Sequence, residues 1–300
     1  MPKTKTKTPK KFRKALEMPE GDSIYRAARS LNLALGGQTV TSLESALPHL
    51  SRVEVDQGVV GRTVEKVAAQ GKWLLMYFSG DLILLSHLRM SGSWHIYRPG
   101  EPWKRGRYDM RVVIGTPKIV AVAFKVPIAE FHTAESLTRR EGFRSVGPST
   151  LAENFDESDA LARLRARPDL EIGVSLLTQS LLSGIGNIFK SEICFGCGIN
   201  PFRTVADLTD NDLKGLVLKA RKFMLASVAE ASGGKFTTDV PMRRTTGRAH
   251  VAERLWVYQR TGEPCRHCGS AIVSRKQGFD ARTSFWCPRC QPMGMKRASA

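Results

Sequence analysis

Four cysteines near the C-terminal end constrain this chain more than any other feature. Cys265 and Cys268 form one Cys-x2-Cys pair, eighteen residues follow, and Cys287 and Cys290 form a second. That spacing suits a four-thiolate zinc site, in which each pair makes a knuckle presenting two sulfurs at tetrahedral angles. The residues between the pairs are expected to fold as a β-hairpin held by the metal. One structural zinc ion is therefore expected, with no coordination position left for catalysis. The hairpin carries SRKQGFDAR from Ser274 to Arg282, so the metal positions a basic tip. His267, inside the first knuckle, reads as a bystander. Cys194 and Cys197 share the Cys-x2-Cys spacing but lie in a helical stretch with no matching pair nearby, and read as core thiols.

The chain has 46 Lys and Arg against 28 Asp and Glu, a formal net charge of +18. So large an excess points to a polyanionic partner, because phosphates neutralised by cations release counterions whatever the base sequence. Nucleic acid fits first; a membrane surface or ribosomal RNA also carries the required charge. No apolar run is long enough to span a bilayer and no hydrophobic signal core stands at the start, so a soluble, intracellular, non-secreted protein is expected. In such a compartment six cysteines serve as metal ligands or reduced thiols rather than disulfides.

Residues 1–17 hold seven Lys or Arg before Glu17 and no apolar periodicity, which predicts a disordered basic tail. Extra affinity for nucleic acid, a targeting role and a true start at Met18 all fit it. Met18-Pro19-Glu20-Gly21-Asp22 follows. If everything through Met18 were removed, Pro19 would present a free secondary amine, a nucleophile able to form an iminium, with Glu20 beside it as general acid or base. The plainer reading makes Pro19 the first-turn proline of a helix. From Ser23 the apolar positions Ile24, Ala27, Ala28, Leu31 and Leu35 predict a helix ended by Gly36-Gly37. Strands are then predicted at Val59–Val67, Trp73–Phe78, Leu82–Leu88, Met110–Ile114 and Ile119–Phe124, a two-layered β-sandwich. Lys72 is either a solvated strand end or a cationic partner to the Pro19 site. His87 reads as a satisfied, partly buried histidine, and Arg89 and Met90 suit contact with a base stack.

Near Gly142–Pro148 the pattern turns helical, with stripes at 158–167, 173–182, 187–197 and 209–230. Between the middle two, Ser183-Gly184-Ile185-Gly186-Asn187-Ile188 offers glycines for close backbone approach to an anion, and Asn187 as an N-cap or a phosphate ligand. Residues 231–250 read as a mobile basic linker.

The strings MPEGD, SHLRMSGSW, LLTQSLLSGIGNIFKSE, VYQRTGEPCRHCG and ARTSFWCPRCQ, in this order from Met18 to Gln291, resemble the formamidopyrimidine-DNA glycosylase and endonuclease VIII family. The resemblance implies a multidomain α+β protein: a 1–17 tail, an 18–142 catalytic β-sandwich with a leading helix, a 143–250 helix-two-turn-helix domain, a 251–291 zinc-ribbon hairpin and a 292–300 tail. It implies a monomeric base-excision repair enzyme, of the cytoplasm or nucleoid if bacterial, that removes oxidised bases and cleaves at the abasic site, acting on damaged double-stranded or single-stranded and bubble DNA without a membrane partner. Pro19 would be the Schiff-base nucleophile, Glu20 the acid, Lys72 the strand lysine that contacts phosphate and assists elimination. Asn187 would meet phosphate from the helical hairpin, and Arg282 would clamp the phosphates beside the extruded nucleotide. The family's 8-oxoguanine branch carries an Asp-Pro-Arg-Arg-Phe-Gly loop, and here the corresponding region reads IVAVAFKVPIAEF. That favours the endonuclease VIII side and oxidised pyrimidines, leaving Leu88, Arg89 and Met90 as candidates for filling the emptied stack. The second departure is the tail, since a peptide-bonded Pro19 nitrogen cannot attack. The rivals are a non-catalytic damaged-DNA-binding protein with a blocked Pro19 and a ribosome-associated zinc-ribbon protein.

Overall fold

A computed structural model describes residues 19–50, 52, 58–229, 243–248 and 250–294. The basic tail, Met18 and most of the 231–250 stretch lie outside these residues. The rest falls into two compact units, Pro19–Val146 and Gly147–Ser227 with the residues from Arg243 onward.

The first unit opens with α1, Gly21–Leu35, whose Ile24, Ala28, Leu31 and Leu35 are buried as one face. Gly36 and Gly37 stop it: a Cβ on Gly36 would sit 2.6 Å from the Asn32 carbonyl oxygen, and Gly37 turns at φ +76°. Behind this helix stand two four-stranded antiparallel sheets. One orders β2 (Val64–Gln70), β3 (Trp73–Phe78), β4 (Leu82–His87) and β8 (Ile128–His132). The other orders β1 (Ser42–Ser45), β6 (Met110–Gly115), β7 (Val120–Phe124) and β5 (Ser93–Tyr97). Leu74, Met76, Phe78 and Leu84 from the first sheet share one core with Trp94, Val112, Ile114, Ala121 and Ala123 from the second. The alternate residues of β3, Trp73 and Leu75, join a separate cluster with Leu137 from α2 (Ala134–Arg139) and Phe143. Both faces of β3 are thus covered, which is why its sequence is apolar without alternation.

The sandwich is the expected one, with local differences. The strand predicted from Val59 begins at Val64, because Gly61 turns at φ +89° and the Arg62 guanidinium donates to the Gly58 and Ser79 carbonyls. Strands β1, β5 and β8 were not expected. β1 (SLES) is a short polar edge whose pairing with Val112–Gly115 supplies what its side chains do not.

The second unit contains α3 (Glu157–Arg165), α4 (Ile172–Leu177), α5 (Asn187–Gly196) and α6 (Asp210–Ala229). Asp156 caps α3 by accepting the Asp159 N–H, and Thr209 and Asp212 cap α6 reciprocally. The helix expected over 173–182 ends at Leu177 because Gln179 organises a loop instead. Its Nε2 donates to the Leu177 and Ile185 carbonyls while its Oε1 accepts the Gly184 N–H. The zinc hairpin appears as β9 (Val273–Gln277) paired with β10 (Arg282–Trp286). Part of the presumed mobile linker is packed: Arg243 is 1% exposed, and Thr246 Oγ1 donates to the Glu253 carbonyl.

Candidate active site and nucleic-acid interface

Pro19 is half-buried and stands directly before α1, where Glu20 is the N-cap. The Glu20 carbonyl accepts the Ser23 and Ile24 amides, and its residue is only 3% exposed. A helix N-terminus favours a nearby carboxylate, so the pair sits where an acidic group is electrostatically supported. Two residues on, Asp22 is completely buried and lies 3.5 Å from the Arg26 guanidinium. Sequence reading passed over this buried ion pair, which directly follows Pro19 and Glu20 in the chain. Its signal is an Asp and an Arg four apart in the first turns of α1, on the side of the helix away from the Ile24–Leu35 stripe.

Lys72 lies in the two-residue Gly71-Lys72 turn joining β2 to β3, one residue before the strand expected to start with it. In the β3–β4 register Trp73 pairs with His87, and the two rings meet edge-to-face at 4.7 Å. The His87 Nδ1 accepts the Arg89 amide at 3.0 Å, and Arg89 turns at φ +49°. Burial, reinforced by Arg89, Lys72 and Arg140, pulls the His87 imidazole down to about 4. It is therefore a neutral acceptor at physiological pH, holding the turn that presents Arg89 and Met90. Both of those side chains are exposed, Met90 by 56%. Leu88 must be corrected. At 3% exposure it belongs to the sandwich core, and inserting it into a base stack would empty that core.

In the second unit Gly186, not Asn187, is the N-cap of α5, so the capping expectation for Asn187 fails. One Asn187 Nδ2 hydrogen is donated to the Thr283 carbonyl, 2.9 Å away on β10, next to Arg282. The amide carries a second hydrogen for another acceptor. Asn187 and Arg282 are thus brought together through the hairpin backbone. One turn along α5, Lys190 is fully buried and its Nζ donates to Ser284 Oγ at 2.6 Å. Ser284 donates to Gln277 Oε1, whose Nε2 donates to Glu171 and to the Pro201 carbonyl. This relay escaped the sequence reading, because nothing local marks a lysine inside an apolar helix as a clamp. The fully buried Glu192 accepts the Trp256, Val257 and Tyr258 amides and so fixes the segment leading to the zinc knuckles.

The four cysteine sulfurs all lie within 4.8 Å of one another, with Cys265 and Cys290 at 3.9 Å and Cys268 and Cys287 at 3.4 Å. Four sulfurs at Zn–S bonds of about 2.3 Å stand at comparable separations, so the set fits tetrahedral zinc. Amides of His267 and Cys290 point at the Cys265 and Cys287 sulfurs, as a thiolate favours. His267 Nδ1 approaches Cys290 Sγ at 3.5 Å from outside the cluster. Gln291 bonds the Ile199 carbonyl and receives the Asn200 amide, tying the second knuckle to the chain after α5. Cys194 is fully buried and burial pushes its thiol up to about 12, with Cys197 at about 11, as core thiols should behave.

Family models match three successive segments: the formamidopyrimidine-DNA glycosylase N-terminal domain over 18–125, its H2TH domain over 146–238, and the zinc finger found in FPG and IleRS over 262–292. The chain belongs to the formamidopyrimidine-DNA glycosylase and endonuclease VIII family. Among curated relatives, the probable endonuclease 8 2 of Streptomyces coelicolor is 37% identical over 91% of this chain and 94% of its own length. The DNA-(apurinic or apyrimidinic site) lyase Nei2 of Mycolicibacterium smegmatis is 31% identical over 91% of this chain and 99% of its own. Endonuclease 8 of Escherichia coli is 32% identical over 91% and 100%. The Lactococcus lactis Fpg structure with abasic-site DNA superposes with a TM-score of 0.76 at 23% identity, covering 91% of this chain and all of that one, which establishes the fold. The family assignment makes this chain a DNA-repair glycosylase and abasic-site lyase with one structural zinc. Among the described residues no helix is long and apolar enough to cross a membrane.

Proposed function

We propose that this glycosylase and lyase excises oxidised pyrimidines through a Schiff base on Pro19 and then cleaves the strand by β- or β,δ-elimination. The observation that carries the chemistry is the pair at the head of α1: a half-buried Pro19 followed by Glu20, buried at the helix N-terminus. With residues through Met18 removed, the Pro19 nitrogen has a reference pKa of about 8, leaving a useful neutral fraction at physiological pH. Its lone pair attacks the sugar C1′, Glu20 supplies a proton to open the ring or to the departing base, and the glycosidic electron pair leaves with the base. The resulting iminium acidifies C2′, and loss of that proton expels the 3′ phosphate. Lys72 is the cationic partner of that phosphate, while Asn187 and Arg282 grip the backbone. For the lesion class, the support is the connection from β7 to β8, only Lys125, Val126 and Pro127, which leaves no room for a guanine-branch arm. Arg89 and Met90 then remain to fill the emptied stack.

Borohydride should trap a covalent adduct with abasic DNA when mass spectrometry shows a chain starting at Pro19, and Pro19→Gly should lose most of it. Glu20→Gln should slow base removal about 10²–10⁴-fold, and slow cleavage of a preformed abasic site less. A chain starting at Met1 should bind the same DNA yet neither trap nor cut, behaving as the blocked binder. Trapping by such a chain would overturn Pro19 as nucleophile. Faster single-turnover excision of 8-oxoguanine opposite cytosine than of oxidised pyrimidines would overturn the lesion assignment.

A further inference from the structure

Phe279 stands at the tip of the zinc hairpin with 105% exposure, the largest of any large apolar side chain among the described residues. The tip is Gly278-Phe279-Asp280-Ala281, closed below by the Gln277–Arg282 pair. The Ala281 amide bonds the Gly278 carbonyl, and both ends of the tip adopt left-handed backbone, Gly278 at φ +68° and Ala281 at φ +48°. The ring between them rests on nothing. A turn of this kind has no need of a phenylalanine, since polar turn residues would serve it and keep it soluble.

The base of the tip, by contrast, is firmly held. Gln277 is 6% exposed and bonds Glu171, the Pro201 carbonyl and Ser284, which in turn receives Lys190. A Cβ on Gly278 would already touch Val174 on α4 at 3.1 Å. An exposed ring on a fixed mount suits contact with a flat apolar surface. Exposed Lys276 and Arg282 flank the tip in the hairpin register, with Asp280 as its one acid, while Arg275 lies over the Phe202 ring at 3.8 Å. A flat apolar surface edged by negative charge is a nucleobase flanked by its phosphates.

We infer that Phe279 stacks on a nucleobase of the bound DNA, next to the phosphate gripped by Arg282, and thereby stabilises a duplex opened at the damaged nucleotide. This rests on the reading of the hairpin as a phosphate clamp, and adds a base-contacting residue to it. It also gives the chain a second aromatic or apolar insertion besides Met90, on the hairpin instead of the β4–β5 turn.

The test uses full-length, zinc-loaded protein and duplex DNA carrying a tetrahydrofuran abasic analogue flanked by 2-aminopurine. That analogue cannot form a Schiff base, so the measurement is independent of Pro19; borohydride trapping of authentic abasic DNA, run in parallel, reports on Pro19 alone. Wild-type binding should raise the 2-aminopurine emission. Phe279→Ala should abolish the rise and weaken binding to the analogue about fivefold or more, with zinc content and affinity for lesion-free duplex kept within about twofold. Phe279→Trp should restore both, its added tryptophan emission quenched on binding. An unchanged 2-aminopurine response and affinity in Phe279→Ala would overturn the inference. So would an equal loss of affinity for lesion-free duplex, since that would make the ring a general contact.

Discussion

The sandwich and the zinc hairpin are both antiparallel sheet, yet they are secured by opposite means. In the sandwich the strands interlock through more than twenty buried apolar side chains shared between two sheets and α1, so no single residue decides where a strand lies. The hairpin has two strands, and such a pair is marginal on its own. Its position depends on four thiolates, one buried lysine, one glutamine and a small cluster around Ile188, Tyr258 and Phe285. Redundancy protects the first region, whereas the second concentrates its dependence in a few groups that each have one task.

The sharpest way to break this contrast is metal loss. Cys287→Ser, or chelation, should unfold the hairpin, because structural zinc binding contributes on the order of 10 kcal/mol to such modules. DNA affinity and zinc content should fall together, while the circular-dichroism transition of the sandwich stays in place. A sandwich that melted with the metal would mean the two regions share one cooperative unit. Next in size, Leu84→Ala should lower the sandwich midpoint by about 2–5 kcal/mol of stability, and metal analysis should find its zinc unchanged. Gln277→Ala removes the hinge of the polar relay and leaves Glu171 and Ser284 without it. It should cost about 1–3 kcal/mol, confined to the hairpin transition and to DNA affinity, with full zinc occupancy.

The smallest effect is a pH dependence in the sandwich. The unfolded chain protonates His87 near its ordinary 6.5, but the folded chain only near 4. The unfolded state therefore holds more protons in between, and this residue's contribution, complete above 6.5, is lost as the pH falls toward 4. Urea midpoints measured from pH 7 to 5 should decline in the wild type and decline less in His87→Gln. Glu130, held low chiefly by its hydrogen bonds to Arg140, loses its contribution as the pH falls through a lower range and leaves this window clear.

What the sequence disclosed follows the same divide. Regular chemistry was visible: the cysteine spacing, the one-faced α1, and the apolar runs of β3, β4, β6 and β7 all announce themselves within a few residues. Strands that depend on distant partners were not. β1 owes its existence to residues about seventy positions away, and β5, a five-residue SWHIY directly after the Arg89-Met90 turn, is defined by its pairing with Val120–Phe124. The same limit explains Leu88. Its neighbours Arg89 and Met90 face solvent, and only the fold shows that a leucine between His87 and Arg89 turns inward. Lys190 and Gln277 were invisible for a related reason, since their partners lie 94 and 106 residues away along the chain.

Those separations also set an order in time. The hairpin joins Gln277 to Arg282, neighbours that can meet within microseconds, whereas β1 must wait for residues 112–115 before Ser42 finds Gly115. Yet synthesis runs the other way, delivering Cys287 and Cys290 well after the whole sandwich, at about 5–20 residues per second. The sandwich can thus finish its slow long-range pairing during translation, before the knuckle that captures the metal exists. A nascent chain would therefore hold a finished sandwich for some seconds before its metal-binding hairpin could close.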